Sequence, residues 1–237
     1  RTFNKFLIFS MHTIKLAVFD MAGTVVNEDN VVYKTLQKAI NERGFQLTLD
    51  FVLEHGAGKE KHQAIKDIII ADIGSVDAEM AASIFEDFKV LLNEAYHKLD
   101  VGSYEGVEQM LLSLKENGIK VALNTGYDSK TAQLLLNKMD WTKGKQYDVI
   151  VTADDVVLGR PNPDMIVEAM MKLNVHDEEQ VLKAGDSIID IEEGKNANCG
   201  VTIGVTTGAH TRHQLLSANP THVLDSLTEL RQLLLPS

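Results

Sequence analysis

Apolar runs of strand length alternate along this chain with amphipathic segments of helical length, and that alternation admits few folds. The strand-like runs are residues 15–19, 120–123, 149–151, 181–184 and 201–205. Between the last four lie helix-like segments at 129–139, 163–173 and 188–197. Strands that follow one another through helices pair in parallel, and a parallel sheet is covered on both faces. The expected fold class is therefore α/β, a Rossmann-like parallel sheet.

One interval breaks the alternation. From residue 30 to residue 100 no strand-like run survives, and 31–43, 59–71 and 79–99 read as helices. The expected organisation is a core of residues 11–29 and 101–237 with a helical insertion of residues 30–100. Gly102 and Gly106 flank the return to the core.

Composition limits the partners. The chain has 237 residues, is 44% hydrophobic, and carries a formal net charge of -11. It shows no basic run of the kind a nucleic-acid binder uses, so no nucleic acid is expected. The opening stretch RTFNKFLIFS falls short of a signal peptide and of the ~20 apolar residues of a membrane span. No membrane partner is expected, and the core is expected to begin near Met11. Cys199 is the single cysteine, which excludes an intrachain disulfide and points to a reducing cytoplasm. An acidic protein that handles an anionic substrate has to supply cations locally, through a metal or placed Lys and Arg.

Chemistry-bearing residues cluster after the strand-like runs. Asp20 ends the first, in Phe19-Asp20-Met21-Ala22-Gly23-Thr24, at the edge where open α/β sheets bind ligands. Gly23 and Thr24 suit a turn that offers N–H groups to an anion. Gly185-Asp186-Ser187-Ile188-Ile189-Asp190 follows the fourth run, with two carboxylates four residues apart. Asp20 and Asp186 together can hold Mg²⁺ and leave room for phosphate and water. Asn124-Thr125-Gly126-Tyr127 offers a hydroxyl and free amides to phosphate oxygens, and Arg160, in Gly159-Arg160-Pro161, a fixed cation. Taken singly, each has a plainer reading: a turn-capping Asp, helix-start acids, a strand-ending turn, a solvated arginine.

As an ordered set, Asp20, Thr125, Arg160 and Asp186–Asp190 resemble the haloacid dehalogenase superfamily of hydrolases, and the helical insertion is placed like that superfamily's type C1 cap. The resemblance implies Mg²⁺ as cofactor, with Asp20, the backbone carbonyl of Ala22 and Asp186 as ligands and Asp190 behind them. It implies Asp20 as nucleophile, forming an aspartyl-phosphate. It implies catalytic roles for Thr125 and Arg160, and substrate contacts from Gly23, Thr24, Gly126 and Tyr127. It also implies a homodimer through the cap.

One position departs from the common pattern. Phosphatases of the superfamily carry an Asp two residues after the nucleophile as general acid and base; here it is Ala22. The loss of that group is worth about 10²- to 10⁴-fold in rate. Asp-Met-Ala-Gly-Thr resembles the phosphonatase branch (phosphonoacetaldehyde hydrolases), in which a cap lysine forms a Schiff base with the aldehyde and the leaving group is carbon. The branch's Gly-x-x-Lys-x-x-His pattern is matched by Gly56, Lys59 and His62. The expectation is that Lys59 forms the imine and His62 moves protons, although by spacing alone Lys59 reads as a solvated lysine at a helix start. His55 stands where the branch commonly has methionine, and residues 27–30 lack its nearby cysteine. Two alternatives accompany C–P cleavage of a phosphonoacetaldehyde-like substrate: a Mg²⁺-dependent phosphatase of a small organophosphate or acyl phosphate, and a non-catalytic binding protein. In the enzymatic readings the partner is a small phosphorylated or phosphonate metabolite.

Overall fold

The structure, a computed structural model, describes residues 14–235; the N-terminal stretch up to residue 13 lies outside them. Six strands form one parallel sheet in the order β5-β4-β1-β6-β7-β8. They are β1 (Leu16–Asp20), β4 (Lys120–Asn124), β5 (Val149–Val151), β6 (Val181–Gly185), β7 (Val201–Val205) and β8 (His222–Leu224). Every residue of β1, β6 and β7 is buried, as both-face coverage requires. The five expected strands are present within a residue of their predicted ends. β8 carries only three residues and gives no apolar run to find.

β1 lies between β4 and β6, so the chain leaves it toward one side of the sheet and later returns to the other. That reversal opens a crevice beyond the carboxyl ends of the three strands, the usual ligand site of such sheets.

A two-stranded ribbon, β2 (Val26–Asn27) paired with β3 (Gly102–Ser103), carries the chain into the helical insertion and back. Between them stand α1 (Val31–Asn41), α2 (Leu49–Gly56), α3 (Lys61–Ile73) and α4 (Ala78–Lys98). The core helices are α5 (Val107–Glu116), α6 (Ser129–Lys138), α7 (Asp164–Lys172), α8 (Ile188–Asn196), α9 (Arg212–Ser217) and α10 (Leu230–Leu234). Val32, Leu36, Ile40, Ile65, Ile68, Ile69, Ile84 and Phe88 of the insertion are buried in the same apolar cluster as the ring of Phe19. No helix among the described residues is long and apolar enough to cross a membrane.

One boundary matters for the site. The sequence pattern predicts a helix from residue 59, but α3 begins at Lys61. The carboxylate of Glu60 accepts hydrogen bonds from the N–H groups of His62 and Gln63, both at 2.8 Å. An acidic cap of this kind satisfies otherwise orphaned N–H groups and favours a start at that point. Lys59 is thereby left in the preceding turn.

Candidate active site

Strand register brings the predicted core residues together. Asp20 is the last residue of β1 and stands opposite Asn124 of β4, while Phe19 pairs with Ala184 of β6. Asp186, just past β6, therefore reaches the same edge. The Thr24 hydroxyl lies 3.4 Å from both Asp20 Oδ2 and Asp186 Oδ1. Gly23, at φ 79°, lets the turn pass so close to Asp186 that a Cβ there would meet its carboxylate at 2.3 Å.

Arg160 is the centre of a buried charge network. Its Nη1 donates to Asp20 Oδ1 at 2.7 Å and lies 3.3 Å from Asp190 Oδ1. Its Nε donates to Glu193 at 3.1 Å, and its Nη2 to the Asn124 carbonyl at 2.8 Å. Lys183, wholly buried on β6, lies 3.0 Å from Asp190 and 3.1 Å from Glu193. A buried charge needs an opposite charge and hydrogen bonds to be tolerated, and this set of two cations and three carboxylates supplies them. The predicted solvated alternative for Arg160 is thereby replaced: its side chain is 3% exposed.

Asp186 lies outside that neutralised set. Burial, with Asp20 and Asp190 facing it, holds its carboxyl well above the usual range, despite the N–H of Ala209 donating to it at 2.6 Å. Burial raises Asp20 as well, against the pull of Arg160. Asp190 is different: although burial opposes ionisation, Lys183 and Arg160 bring it down to about 2. Oxygens of Asp20, Asp186 and Asp190 all lie within 4.8 Å of one another. This donor set fits Mg²⁺, a hard cation that takes carboxylate oxygen and keeps room for water and phosphate. Asp20 and Asp186 are the natural ligands, because Asp190 is already held by Lys183, Arg160 and the Ser187 hydroxyl.

The insertion closes the crevice. Tyr33, Gly58 and Lys61 line a pocket together with Asp20, Ala22, Thr125, Gly126, Tyr127, Arg160 and Asp186. Lys59 and His62, expected in this pocket, are outside its lining. Lys59 Nζ turns to Asp67, 2.6 Å away on α3. The ring of His62 stacks on Phe85 of α4 with centroids 5.3 Å apart, and its Nε2 finds no partner among the described residues. Lys61 takes the position expected of Lys59. Its Nζ donates to the Lys59 carbonyl at 2.7 Å and lies 5.2 Å from the centre of the Tyr33 ring. Burial lowers its pKa and Arg160 adds to the effect, while Asp20 resists it. A signal for Lys61 was present: Gly58-Lys59-Glu60-Lys61 repeats the Gly-x-x-Lys spacing two residues later. In that register the histidine position falls on Ala64.

A second polar cluster has no forerunner in the sequence reading. Glu28, buried between β2 and α1, accepts a hydrogen bond from the Tyr96 hydroxyl at 2.6 Å. The Tyr127 hydroxyl lies 2.9 Å from that of Tyr96 and 3.4 Å from Glu28. A single Glu in the turn after a strand gives no pattern to detect.

The model of the haloacid dehalogenase-like hydrolase family matches residues 17–204. Phosphonoacetaldehyde hydrolase of Latilactobacillus sakei is 31% identical over 209 residues, 82% of this chain and 76% of the relative. The enzyme of that name from Bacillus cereus is 28% identical over 206 residues, 83% and 77% of the two chains. Among solved structures, a phosphonoacetaldehyde hydrolase-like protein from Oleispira antarctica superposes with a TM-score of 0.80 at 22% identity, covering 94% of this chain and 91% of the other. A predicted phosphoglycolate phosphatase from Haemophilus somnus gives 0.75 at 20% identity, covering 93% and 97%. The two structures speak for the shared fold.

Proposed function

Because the chain belongs to the haloacid dehalogenase-like hydrolase family, we propose that it hydrolyses the C–P bond of a phosphonoacetaldehyde-like substrate, with Asp20 as nucleophile and Lys61 as the imine-forming amine. The observation that carries this reading is Lys61 in the pocket of Asp20 and Arg160, opposite an Ala22 that can transfer no proton. Carbon is a leaving group only if its electron pair has somewhere to go. An iminium on a lysine accepts that pair as an enamine, and the missing acid at position 22 is then no obstacle. Desolvation beside a fixed arginine favours the neutral amine that attacks an aldehyde.

In this reading Arg160 holds the Asp20 carboxylate in place and faces the transferring phosphoryl group, and Thr125 and the Gly126 amide receive its oxygens. Mg²⁺ held by Asp20, Asp186 and the Ala22 carbonyl would supply charge neutralisation between nucleophile and phosphoryl oxygens. Residues 30–100 act as a mobile cap. The cavity among the lining residues is about 20 Å³, room for a single water, so a phosphonate enters only after Gly58 and Lys61 move off the core.

Borohydride reduction in the presence of phosphonoacetaldehyde and Mg²⁺ tests the assignment. Peptide mapping is expected to find the two-carbon adduct on Lys61; an adduct on Lys59, or none, overturns it. The phosphatase reading keeps one point in its favour, since Asp20, Thr125 and Arg160 serve any phosphoryl transfer. Full turnover by Lys61→Met on the true substrate would favour it. Phosphate release that requires added Mg²⁺ and is abolished by Asp20→Asn excludes a non-catalytic role.

A further inference from the structure

With alanine at position 22, and Ala64 where the lysine motif has histidine, the leaving atom still needs a proton. Besides Thr125, the residues lining the pocket that carry a neutral hydroxyl are Tyr33 and Tyr127. Tyr33 already accepts the Gly58 N–H at 2.9 Å and hydrogen-bonds no carboxyl among the described residues. Tyr127 is backed by Tyr96 and Glu28.

We propose that Glu28, Tyr96 and Tyr127 form a proton relay that protonates the leaving atom and takes the place vacated at Ala22. This rests on the proposed phosphoryl transfer to Asp20. Hydrogen counting gives the relay its direction. When Glu28 is ionised, the cluster holds two hydroxyl hydrogens, and both go to the carboxylate: Tyr96 gives its own to Glu28 at 2.6 Å and Tyr127 gives its own to Glu28 at 3.4 Å. Neither points into the pocket. When Glu28 is protonated, a third hydrogen is present: Glu28 donates to Tyr96, Tyr96 to Tyr127, and Tyr127 is free to donate to a ligand. Transfer of that hydrogen leaves Glu28 a carboxylate, and both hydroxyls turn back to it.

The balance is complete. The C–P electron pair moves to carbon as Asp20 bonds to phosphorus, and the enamine carbon takes the Tyr127 hydrogen. Tyr127 is refilled from Tyr96, Tyr96 from Glu28, and Glu28 is left as a carboxylate. When water attacks the aspartyl-phosphate, the proton it gives up returns along the same path and Asp20 leaves as a carboxylate. Glu28 acts through Tyr127 and is a positioning residue in this scheme; Tyr127 is the group at the pocket.

The surroundings of Glu28 suit a group that changes charge. The titratable groups facing it are Tyr33 of α1, Lys61 of α3, Tyr96 of α4, Tyr104 after β3 and Tyr127 after β4. Lys61 is the one cation among them. Burial, opposed by the Tyr96 hydrogen bond, pushes Glu28 up to about 7.

The test is the pH dependence of kcat for wild type, Glu28→Gln, Glu28→Asp and Tyr127→Phe, by phosphate release from phosphonoacetaldehyde. Wild-type kcat is expected to fall as pH rises through about 7. Glu28→Gln and Tyr127→Phe are each expected to lose about 10²-fold in kcat, with KM little changed, and to lose that fall. Glu28→Asp should recover part of the rate and keep a displaced fall. Tyr127→Phe keeps the ring and guards against misfolding of the Glu28 variants. Either Glu28→Gln or Tyr127→Phe with wild-type kcat and an unaltered profile overturns the relay. Failure of the C–P reading is seen separately, as wild type that spares phosphonoacetaldehyde but hydrolyses phosphoglycolate. The same comparison on phosphoglycolate then decides the relay.

Discussion

Gly58→Ala should impair turnover far more than it destabilises the fold. Gly58 sits at φ +77° in the turn before α3, and a Cβ built there would lie 2.4 Å from Ser187 Oγ and 2.9 Å from Ile189 Cβ, at the start of α8. Neither neighbour yields easily. The Ser187 hydroxyl is fixed by its 2.6 Å hydrogen bond to Asp190 Oδ2, and Ile189 Cβ moves only with the helix. The left-handed backbone costs a non-glycine residue about 1–2 kcal/mol whether the cap is open or closed. The steric overlap, about 1–3 kcal/mol for added bulk in a packed contact, exists only when the cap is seated. At 1.4 kcal/mol per factor of ten, the closure-specific share lowers kcat/KM by about 5- to 150-fold. The backbone share lowers Tm by only a few degrees, at about 2–4 °C per kcal/mol for a chain of this size. Gly74→Ala is the control, since Gly74 has φ +80° at the end of α3 and no atom within 4 Å of the added Cβ. It should match the Tm loss and leave kcat/KM unchanged. Steady-state phosphate release and thermal melts of both variants measure this. If kcat/KM of Gly58→Ala stays within about twofold of that of Gly74→Ala, the seated contact plays no part in turnover and the reasoning fails.

Three other perturbations follow from the buried charges. Arg160→Met removes the counterion of Asp20 and one of those of Glu193, and urea unfolding should show a loss of about 3–5 kcal/mol; a loss below about 1 kcal/mol would mean that Lys183 alone compensates the site. Glu28 is raised from 4.5 to about 7 by burial, so the folded state holds its proton more tightly than the unfolded one. The stability this gives is complete below about pH 4.5 and is lost as pH rises through about 7, a change of about 3 kcal/mol; a stability–pH curve parallel to that of Glu28→Gln would refute it. Ala22→Asp restores a carboxyl at the pocket edge and should raise phosphomonoester hydrolysis by up to about 10²- to 10⁴-fold, measured on phosphoglycolate; a folded variant with no gain would show that proton supply is not what limits this chain on phosphate esters.

Most of the core was legible because buried parallel strands write themselves as apolar runs, and the residues of the site follow those runs directly. Asp20, Thr125 and Asp186 are at or just past strand ends, so finding β1, β4 and β6 in the sequence nearly finds the crevice. Arg160 was legible only as one of a set. Its partners Lys183 and Glu193 were not, because a charge inside a strand or on a helix face carries no sign of what faces it. Lys183 reads as a break in an apolar run, and only the register of β6 against β1 and the placement of α8 explain why a cation is needed there. Glu28 and Tyr96 are 68 residues apart and meet through the return of the insertion, a contact that no local pattern encodes.

The two lysines show how little in the sequence separates a residue that lines the pocket from one that does not. Gly56-x-x-Lys59 and Gly58-x-x-Lys61 share the Gly-x-x-Lys spacing, and only the first adds the histidine, so the pattern by itself selects Lys59. Which lysine lines the pocket is decided by Glu60, whose carboxylate caps the N–H groups of His62 and Gln63 and so starts α3 at Lys61. Side chains in the first turn of a helix lean toward its N-terminus. Lys61 therefore reaches back over Tyr33 to the pocket end of α3, while Lys59, one residue outside the cap, turns along the helix to Asp67. Reading Glu60 as a helix start rather than as the neighbour of two lysines would have given the register, and with it Ala64 in place of a histidine. The two alanines, Ala22 and Ala64, then pose the same question, which is where the proton comes from, and Glu28 is the buried group in reach of the pocket that can hold one near neutral pH.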